Sequence, residues 1–298
     1  MIVLTSGATR ATEIPDLAHY TINGDSIAFT WDATDNDVTI LDSHRGVTTV
    51  DIGANEAWDG IDPRLVPIKI TNRGFAHIAN CKKLQILRFS SMHPLQVTDE
   101  GLKSLEGLEK LREIRFFVTP FSSAGLTHLT GLINLEELWL EFNSKYDDAA
   151  MDSIASLKKL RVLRFYGAPI TDTGITKIRG LSQLEDLQLG KSCIGDDALK
   201  IIGGFVRLKT LDLQYTRVTD AGMSHLKSLT NLQWLCLKGT AVTGKGLANL
   251  SDMTELKSLY LDEMQADNLP PELTAKLKGN AQPTNAPYSS PAAAGLKR

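Results

Sequence analysis

The sequence has few cysteines and no long hydrophobic run, and both absences narrow its class. Its 298 residues include three cysteines, Cys81, Cys193 and Cys236. An odd number of widely spaced cysteines is not a disulfide framework and fits a reducing compartment. No run approaches the ~18 apolar residues of a membrane span, and the first residues lack the basic start and apolar stretch of a signal peptide. We therefore expect a cytoplasmic protein that binds no membrane.

The charge is nearly balanced, and residues with the spacing of a reactive site are also missing. A formal net charge of −3 provides no global basic field for nucleic acid. The six histidines and three cysteines do not have the spacing of metal ligands, and no glycine-rich loop would cradle a phosphate. We predict no catalytic residue, no metal and no cofactor, in a chain that is not an enzyme.

What the sequence does contain, many times over, is one pattern of apolar residues. The motif Leu-x-x-Leu-x-Leu returns about every 24 residues, and a weaker copy begins at Val47. A period of about 20 to 50 residues is typical of a solenoid, in which each unit contacts only its neighbours. The eight stronger copies begin at Leu84, Leu111, Leu135, Leu160, Leu184, Leu208, Leu232 and Leu256.

The two halves of each unit predict a strand and a short helix. The alternation that ends Leu-x-x-Leu-x-Leu is typical of a strand with one buried face, so we expect Leu211 and Leu213 to point inward. The second half opens with Thr-Asp, as at Thr219 and Asp220. Threonine is a good N-cap, and aspartate suits the positive end of a helix. A glycine or alanine always precedes the first apolar residue of the helix, and we expect a larger side chain there to strike the neighbouring coil.

The complete unit, L-x-x-L-x-L-x-x-T-x-V-T-D-x-G-L-x-x-L-x-x-L, resembles the leucine-rich repeat family over roughly residues 47–265. It is similar to bacterial leucine-rich repeat proteins and to the repeat part of F-box leucine-rich-repeat adaptors, although no F-box sequence precedes it. The resemblance implies an α/β solenoid with a curved parallel β-sheet on the concave face and short helices on the convex face.

The ends of the chain depart from the repeat. We predict four parts: an N-terminal segment with a β-hairpin cap (1–46), a solenoid of about nine repeats (47–267), a C-terminal cap helix (268–279) and a disordered tail (280–298). Alternation around a turn-prone segment places the hairpin strands at Ser26–Trp31 and Asp37–Leu41. A proline pair begins the cap helix and a glycine ends it. The tail is rich in Pro, Ala and Ser.

The face of the strands that points away from the core carries large polar and aromatic residues. Because neighbouring strands lie about 4.8 Å apart, we expect Arg115, Trp139 and Arg164 to stand side by side. Arg, Trp and Tyr are enriched at binding hot spots. We predict a protein-binding face that comprises Arg88, Arg115, Phe117, Trp139, Glu141, Arg164, Tyr166, Gln188, Asp212, Trp234 and Tyr260.

Insertions into the repeats support a surface on one side of the solenoid. They fall at 53–69, at 90–96 and near Lys145, always after the strand and therefore on one rim. Insertions in such folds often map to the binding face.

One alternative is that the face satisfies itself. In that arrangement Arg115 pairs with Glu113 or Glu137, and Arg164 stacks on Trp139. No partner would then be needed to explain these residue types.

The main prediction is a non-enzymatic, monomeric scaffold that binds a protein or peptide with an acidic patch, because an arginine fork donates two parallel hydrogen bonds to a carboxylate. The second alternative is an adaptor that recruits substrate to a larger enzyme complex, as in a ubiquitin ligase. It would need a docking element within residues 1–46. We interpret Cys236, on the same face, as an exposed thiol and not a nucleophile, because no histidine lies beside it.

Overall fold

The computed structural model describes residues 19–30, 32–53, 69–89, 96–277 and 281–283. In these residues twelve strands form one sheet in chain order. The first pair is antiparallel and every following pair is parallel. The strands are β1 (Tyr20–Asn23), β2 (Ser26–Phe29), β3 (Thr49–Ile52), β4 (Ile86–Phe89), β5 (Glu113–Phe117), β6 (Glu137–Glu141), β7 (Val162–Arg164), β8 (Asp186–Gln188), β9 (Thr210–Asp212), β10 (Trp234–Cys236), β11 (Ser258–Leu261) and β12 (Ala281–Pro283).

Short helical segments connect the parallel strands and cover the other side of the core. Some are α-helical and others are 3₁₀ turns, so each coil is closed by only a few residues. The α-helices are α1 (Asp35–Val38), α2 (Asn72–Phe75), α3 (Asp148–Ile154), α4 (Asp172–Lys177), α5 (Asp196–Ile202), α6 (Asp220–Met223), α7 (Gly244–Leu247), α8 (Glu263–Asp267) and α9 (Pro271–Leu277). The 3₁₀ segments are Thr39–Asp42, Ala76–Asn80, Gly101–Leu105, Gly125–Leu129, Ser224–Ser228 and Ala248–Leu250.

One hydrophobic core lies between the sheet and the helices and extends from Ile27 to Leu277. Leu211 and Leu213 are fully buried in it, which confirms the predicted inward face of the strands. The α/β solenoid that the repeat predicts is therefore the observed fold.

The Thr-Asp motif caps a helix and also links neighbouring coils. Thr219 caps α6, where its side chain accepts a hydrogen bond from the backbone N–H of Ala221. Asp196, one coil earlier, accepts hydrogen bonds from the N–H (2.9 Å) and the hydroxyl (2.7 Å) of Thr219. The same two bonds recur for Asp35 with Thr71, Asp99 with Ser122, Asp148 with Thr171, and Asp220 with Thr243. The aspartates thus form a ladder that the helix-dipole argument did not predict.

The ladder explains most of the glycines at the start of the helices. A Cβ atom at Gly222 would collide with the carboxylate of Asp196. Gly246 stands in the same relation to Asp220. The predicted clash with the neighbouring coil is confirmed, and the clashing group is the ladder carboxylate.

The N-terminal hairpin is real, but its strands are β1 and β2, so the predicted strand at Asp37–Leu41 is wrong. That segment is helical, because Thr34 and Asp37 form a capping box in which each side chain bonds the other's backbone. Strand β2 also pairs in parallel with β3. The described residues therefore contain one more coil than the nine predicted, with ten consecutive parallel strands from β2 to β11.

A helix, α9, lies within the predicted C-terminal cap at 268–279 and buries Leu273 and Leu277. Of the predicted disordered tail, residues 281–283 form β12 beside β11, so the prediction is wrong for these three. The rest of the tail and residues 1–18 lie outside the described residues.

Candidate functional site

The side chains of β3 to β11 that point away from the core form a surface that we call the sheet wall. At its centre the strand register places Arg115, Trp139 and Arg164 side by side, as predicted. The guanidinium carbon of each arginine lies 3.8 Å from the centroid of the Trp139 ring. The two cations thus stack on one indole from the two flanking strands.

Each wall arginine also pairs with a carboxylate of the wall. Arg88 donates to both carboxylate oxygens of Glu113, at 2.5 and 3.1 Å. The same carboxylate lies 2.5 Å from Nε of Arg115, and Arg164 donates to Asp186 at 2.6 Å. The pairing that the sequence left open is therefore the one observed. Within the described residues, Nε of Arg115 and Arg164, Nε1 of Trp139 and Oδ1 of Asp186 are buried without a hydrogen bond.

Close packing makes most of the sheet wall inaccessible. Large side chains on strands about 4.8 Å apart cover one another, and Arg164 is only 2% exposed. That all eleven predicted residues contact a partner directly stays a prediction. Burial limits how many of them a partner can reach. Seven are buried: Trp139, Glu141, Arg164, Tyr166, Gln188, Asp212 and Trp234. Four are partly exposed: Arg88, Arg115, Phe117 and Tyr260.

Cys236 is buried as well, so its interpretation as an exposed thiol is wrong. Burial raises the pKa of this thiol to about 12, and the nearby Asp212 carboxylate adds to the effect. A thiol that stays protonated at neutral pH is a poor nucleophile.

The sheet wall holds more carboxylates than cations. From β4 to just past the end of β9, three arginines (Arg88, Arg115 and Arg164) face five carboxylates (Glu113, Glu137, Glu141, Asp186 and Asp212). Three arginines on this face favoured a partner with an acidic patch. The opposing signal was already present in acidic residues two positions before Arg115, Trp139 and Gln188, at Glu113, Glu137 and Asp186.

Glu141 is the least compensated of these carboxylates. It pairs in register with Phe117, and Tyr166 lies on its other side. The side chain is buried, and the described residues give its carboxylate neither a hydrogen bond nor an ion pair. Burial raises its pKa to about 7, opposed by the charge of Arg164 and reinforced by that of Asp186.

Immediately after the strands, the chain turns through a position with positive φ. The hydrogen-bonded turn places the residue in the left-handed region, which is uncommon for bulky side chains. We call this column the strand-end rim. Its members are Val118 (42°), Phe142 (59°), Gly167 (81°), Lys191 (59°), Tyr215 (54°) and Gly239 (69°). Only the two glycines give a sequence signal for this backbone, so the column was missed.

Four side chains on and beside this rim form a cluster that we call the aromatic rim: Phe142, Tyr166, Lys191 and Tyr215. The Phe142 and Tyr166 rings meet edge to face, with centroids 5.1 Å apart. Nζ of Lys191 lies 5.4 Å from the Tyr166 ring centroid and 5.8 Å from that of Tyr215. Phe142 is 44% exposed and Tyr215 is 47% exposed. This is an apolar and cationic surface that the core does not use.

Two glycines make room for these rings. A Cβ atom at Gly190 would collide with the ring of Tyr166, and one at Gly239 with the ring of Tyr215. The positions of the rings thus depend on the neighbouring coil.

The cations of the same rim are unpaired. Lys145, Lys191 and Arg217 are all exposed. Within the described ranges, none of the three forms an ion pair, and Nζ of Lys145 donates only to the carbonyl of Pro120.

The opposite edge of the sheet, which we call the strand-start rim, is satisfied. Its charges alternate from coil to coil along Arg112, Glu136, Arg161, Glu185 and Lys209. Glu136 accepts from Arg112 at 2.5 Å, and Glu185 accepts from Arg161 at 2.8 Å and from Lys209 at 2.7 Å. The bonds from Arg161 and Lys209 lower the pKa of Glu185 to about 2.

In the part of the chain that the structure describes, no three His, Cys, Asp or Glu side chains are grouped to hold a metal ion. None of the helices described there is long and apolar enough to cross a membrane.

Comparison with known proteins gives the same architecture. The family described as Leucine Rich repeat matches residues 208–227. The solved structure of internalin C2 from Listeria monocytogenes is 25% identical, with a TM-score of 0.53, and the match covers 62% of this chain and 74% of that one. A second internalin from the same organism (inlF) is 18% identical, with a TM-score of 0.60, covering 87% and 72%. Among curated protein sequences, none matches significantly.

Proposed function

We propose that this leucine-rich repeat protein, similar in fold to two internalins, is a non-enzymatic scaffold that binds a protein or peptide through the aromatic rim. One observation carries the proposal. Phe142 and Tyr215 adopt positive φ while nearly half of each side chain is exposed. Such backbone strain costs about 1–3 kcal/mol per residue and is concentrated at functional sites.

The residue types suit a protein partner. Tyr and other aromatic side chains are enriched at interface hot spots, where an anchor contributes ~2 kcal/mol or more. The four partly exposed residues of the sheet wall extend the proposed surface, since Phe117 contacts Trp139 with ring centroids 6.2 Å apart. The buried wall residues act in this proposal as the rigid support of the surface.

The partner carries an acidic patch in this proposal, but the cations that would attract it differ from those first predicted. The wall arginines already form ion pairs with carboxylates of the wall. Lys145, Lys191 and Arg217 are exposed and unpaired within the described residues. Such charges steer an acidic partner toward the rim and fix its orientation.

No observation favours the adaptor role over a simple scaffold. The adaptor role, the monomeric state and the cytoplasmic location stay predictions from the sequence.

The test is capture of partners from a cell lysate by matched variants. The double variant Phe142→Ala and Tyr215→Ala removes the two exposed rings of the aromatic rim. Ile133→Ala with Val206→Ala is the control, because these side chains are 58% and 51% exposed in the turns before the strands. We expect the rim variant to lose at least about tenfold of a bound protein that the control retains. Equal capture by both variants would contradict the proposal.

A further inference from the structure

Glu141 is a buried negative charge without a counter-charge of its own. The cation with the largest effect on Glu141, Arg164, is held by Asp186 at 2.6 Å, and Arg115 is held by Glu113. A buried ion without a partner destabilises the fold. A cation from outside the chain would therefore gain more here than at any exposed carboxylate.

The surroundings of Glu141 suit a cation. Phe117 pairs with Glu141 in the strand register, and Tyr166 occupies the matching position of the next coil. Phe142 follows Glu141 in the chain, with its ring against Tyr166. Aromatic faces attract ammonium and guanidinium groups, most strongly when water is excluded. An apolar side chain would contact the same rings but leave the carboxylate unpaired.

Open space lies on the rim beside Phe142, the residue that follows Glu141. The ring of Phe142 is 44% exposed, and its neighbour on the rim is Gly167. A Cβ atom at Gly167 would have only the Phe142 Cα within 4 Å, at 3.8 Å, so the space around Gly167 is open.

We infer that Glu141, between Phe117 and Tyr166, is a subsite for the ammonium or guanidinium group of one Lys or Arg side chain of the protein partner. The inference rests on the proposed function, because contact at the aromatic rim brings that side chain to the carboxylate. The partner surface thus combines acidic groups opposite the rim cations with one basic anchor.

The pH dependence follows from the ionisable groups around Glu141, which include Arg115, Arg164, Asp186, Asp212 and Tyr166. Their charges and burial leave Glu141 with a pKa of about 7. Because only the ionised carboxylate attracts a cation, binding strengthens as the pH rises through 7.

The experiment measures binding of N-acetyl-argininamide to the full chain, followed by the NMR shifts of the Phe142 and Tyr166 amides. The matched probe is N-acetyl-citrullinamide, which has the same shape and no charge. We expect saturable binding of the arginine probe at pH 8 that is at least about tenfold weaker at pH 5.5. The citrulline probe should not saturate.

Two variants locate the effect. Glu141→Gln should abolish binding of the arginine probe at pH 8. Glu137→Gln, on the same strand, should bind the probe as wild type does, because its carboxylate lies beside Arg115. Loss in both variants, or retention in Glu141→Gln, overturns the inference, as does equal binding of the two probes.

The results separate this inference from the proposed function. If Phe142→Ala with Tyr215→Ala loses the captured partner while the arginine probe fails to bind wild type, the proposed function is supported and the cation subsite at Glu141 is contradicted. If the probe binds through Glu141 while the rim variant retains its partner, the cation site stands and the rim proposal falls.

Discussion

The strand-start rim and the strand-end rim are built by the same repeat at opposite edges of one sheet. On the strand-start rim, Arg161 and its neighbours alternate in sign and pair from coil to coil. On the strand-end rim, exposed rings occupy strained positions, and the exposed cations Lys145, Lys191 and Arg217 form no ion pair within the described residues. This difference shows that residue type alone does not identify a binding surface. What distinguishes the two edges is whether the neighbouring coil satisfies each side chain.

The largest effect should come from breaking a satisfied network. Arg164→Ala removes the partner of Asp186 and leaves a buried charge unpaired. We expect the free energy of unfolding to fall by about 3–5 kcal/mol, measured by chemical denaturation. A loss below about 1 kcal/mol would mean that Arg164 does not stabilise the fold and is available to a partner.

The next effect concerns the uncompensated carboxylate. The pKa of Glu141 rises from 4.5 in a model peptide to about 7 in the folded chain, so the folded state binds this proton more tightly. Its stabilising effect is complete below pH 4.5 and is lost as the pH rises through 7, by about 3 kcal/mol. Glu141→Gln should therefore be more stable than wild type at pH 8 by about that amount, and nearly equal to it at pH 4.5.

Denaturation midpoints of the two proteins at both pH values test this sign. A Glu141→Gln variant that is less stable than wild type at pH 8 would show that the ionised carboxylate has a partner in the fold.

Relief of backbone strain on the strand-end rim should raise the stability of the fold by a smaller amount. Tyr215 has a φ of 54°, a conformation that glycine adopts without strain. Tyr215→Gly should raise stability by up to about 1 kcal/mol while it weakens capture of the partner. Thermal denaturation measures the first effect. Loss of stability greater than about 1 kcal/mol would assign the ring a structural role.

The smallest effect should come from the strand-start rim. The pKa of Glu185 falls from 4.5 to about 2, and the group lies near the surface, so its bonds contribute stability above pH 4.5 that is lost as the pH falls through 2. Solvent screening limits this contribution to about 0.5–1 kcal/mol. The free energy of unfolding of Glu185→Gln should fall by no more than that at pH 7. The loss should be smaller in 1 M salt, where the Debye length is about 3 Å. Partner capture should not change.

The repeat allowed the fold to be predicted because the core sets its period. Leucines such as Leu211 recur wherever a strand faces the helices, so their spacing reports the coil. The first coil escaped because its Thr34-Asp35 pair follows Phe29 at a shorter spacing, with isoleucine and phenylalanine in place of leucine. Alternation then favoured a second hairpin strand over the helix that the capping box begins.

The candidate site was harder to predict, because it depends on contacts between neighbouring coils. Arg115 and Arg164 were correctly placed beside Trp139, since strand register alone determines that ladder. Their carboxylate partners lie on the neighbouring strands, so pairing depends on side-chain directions that periodicity does not report. The strain at Phe142 was invisible, because the turn that imposes positive φ is made by the coil and not by a glycine.

The most direct test is the affinity of a captured partner for the two rims. It compares Phe142→Ala with Tyr215→Ala, on the strand-end rim, against Arg161→Ala with Lys209→Ala, on the strand-start rim. Calorimetric titration at neutral pH should show binding weakened at least about tenfold by the first pair and less than about twofold by the second. A partner that is lost with the second pair and kept with the first would contradict the account, because binding would then lie on the edge where every charge already has a partner.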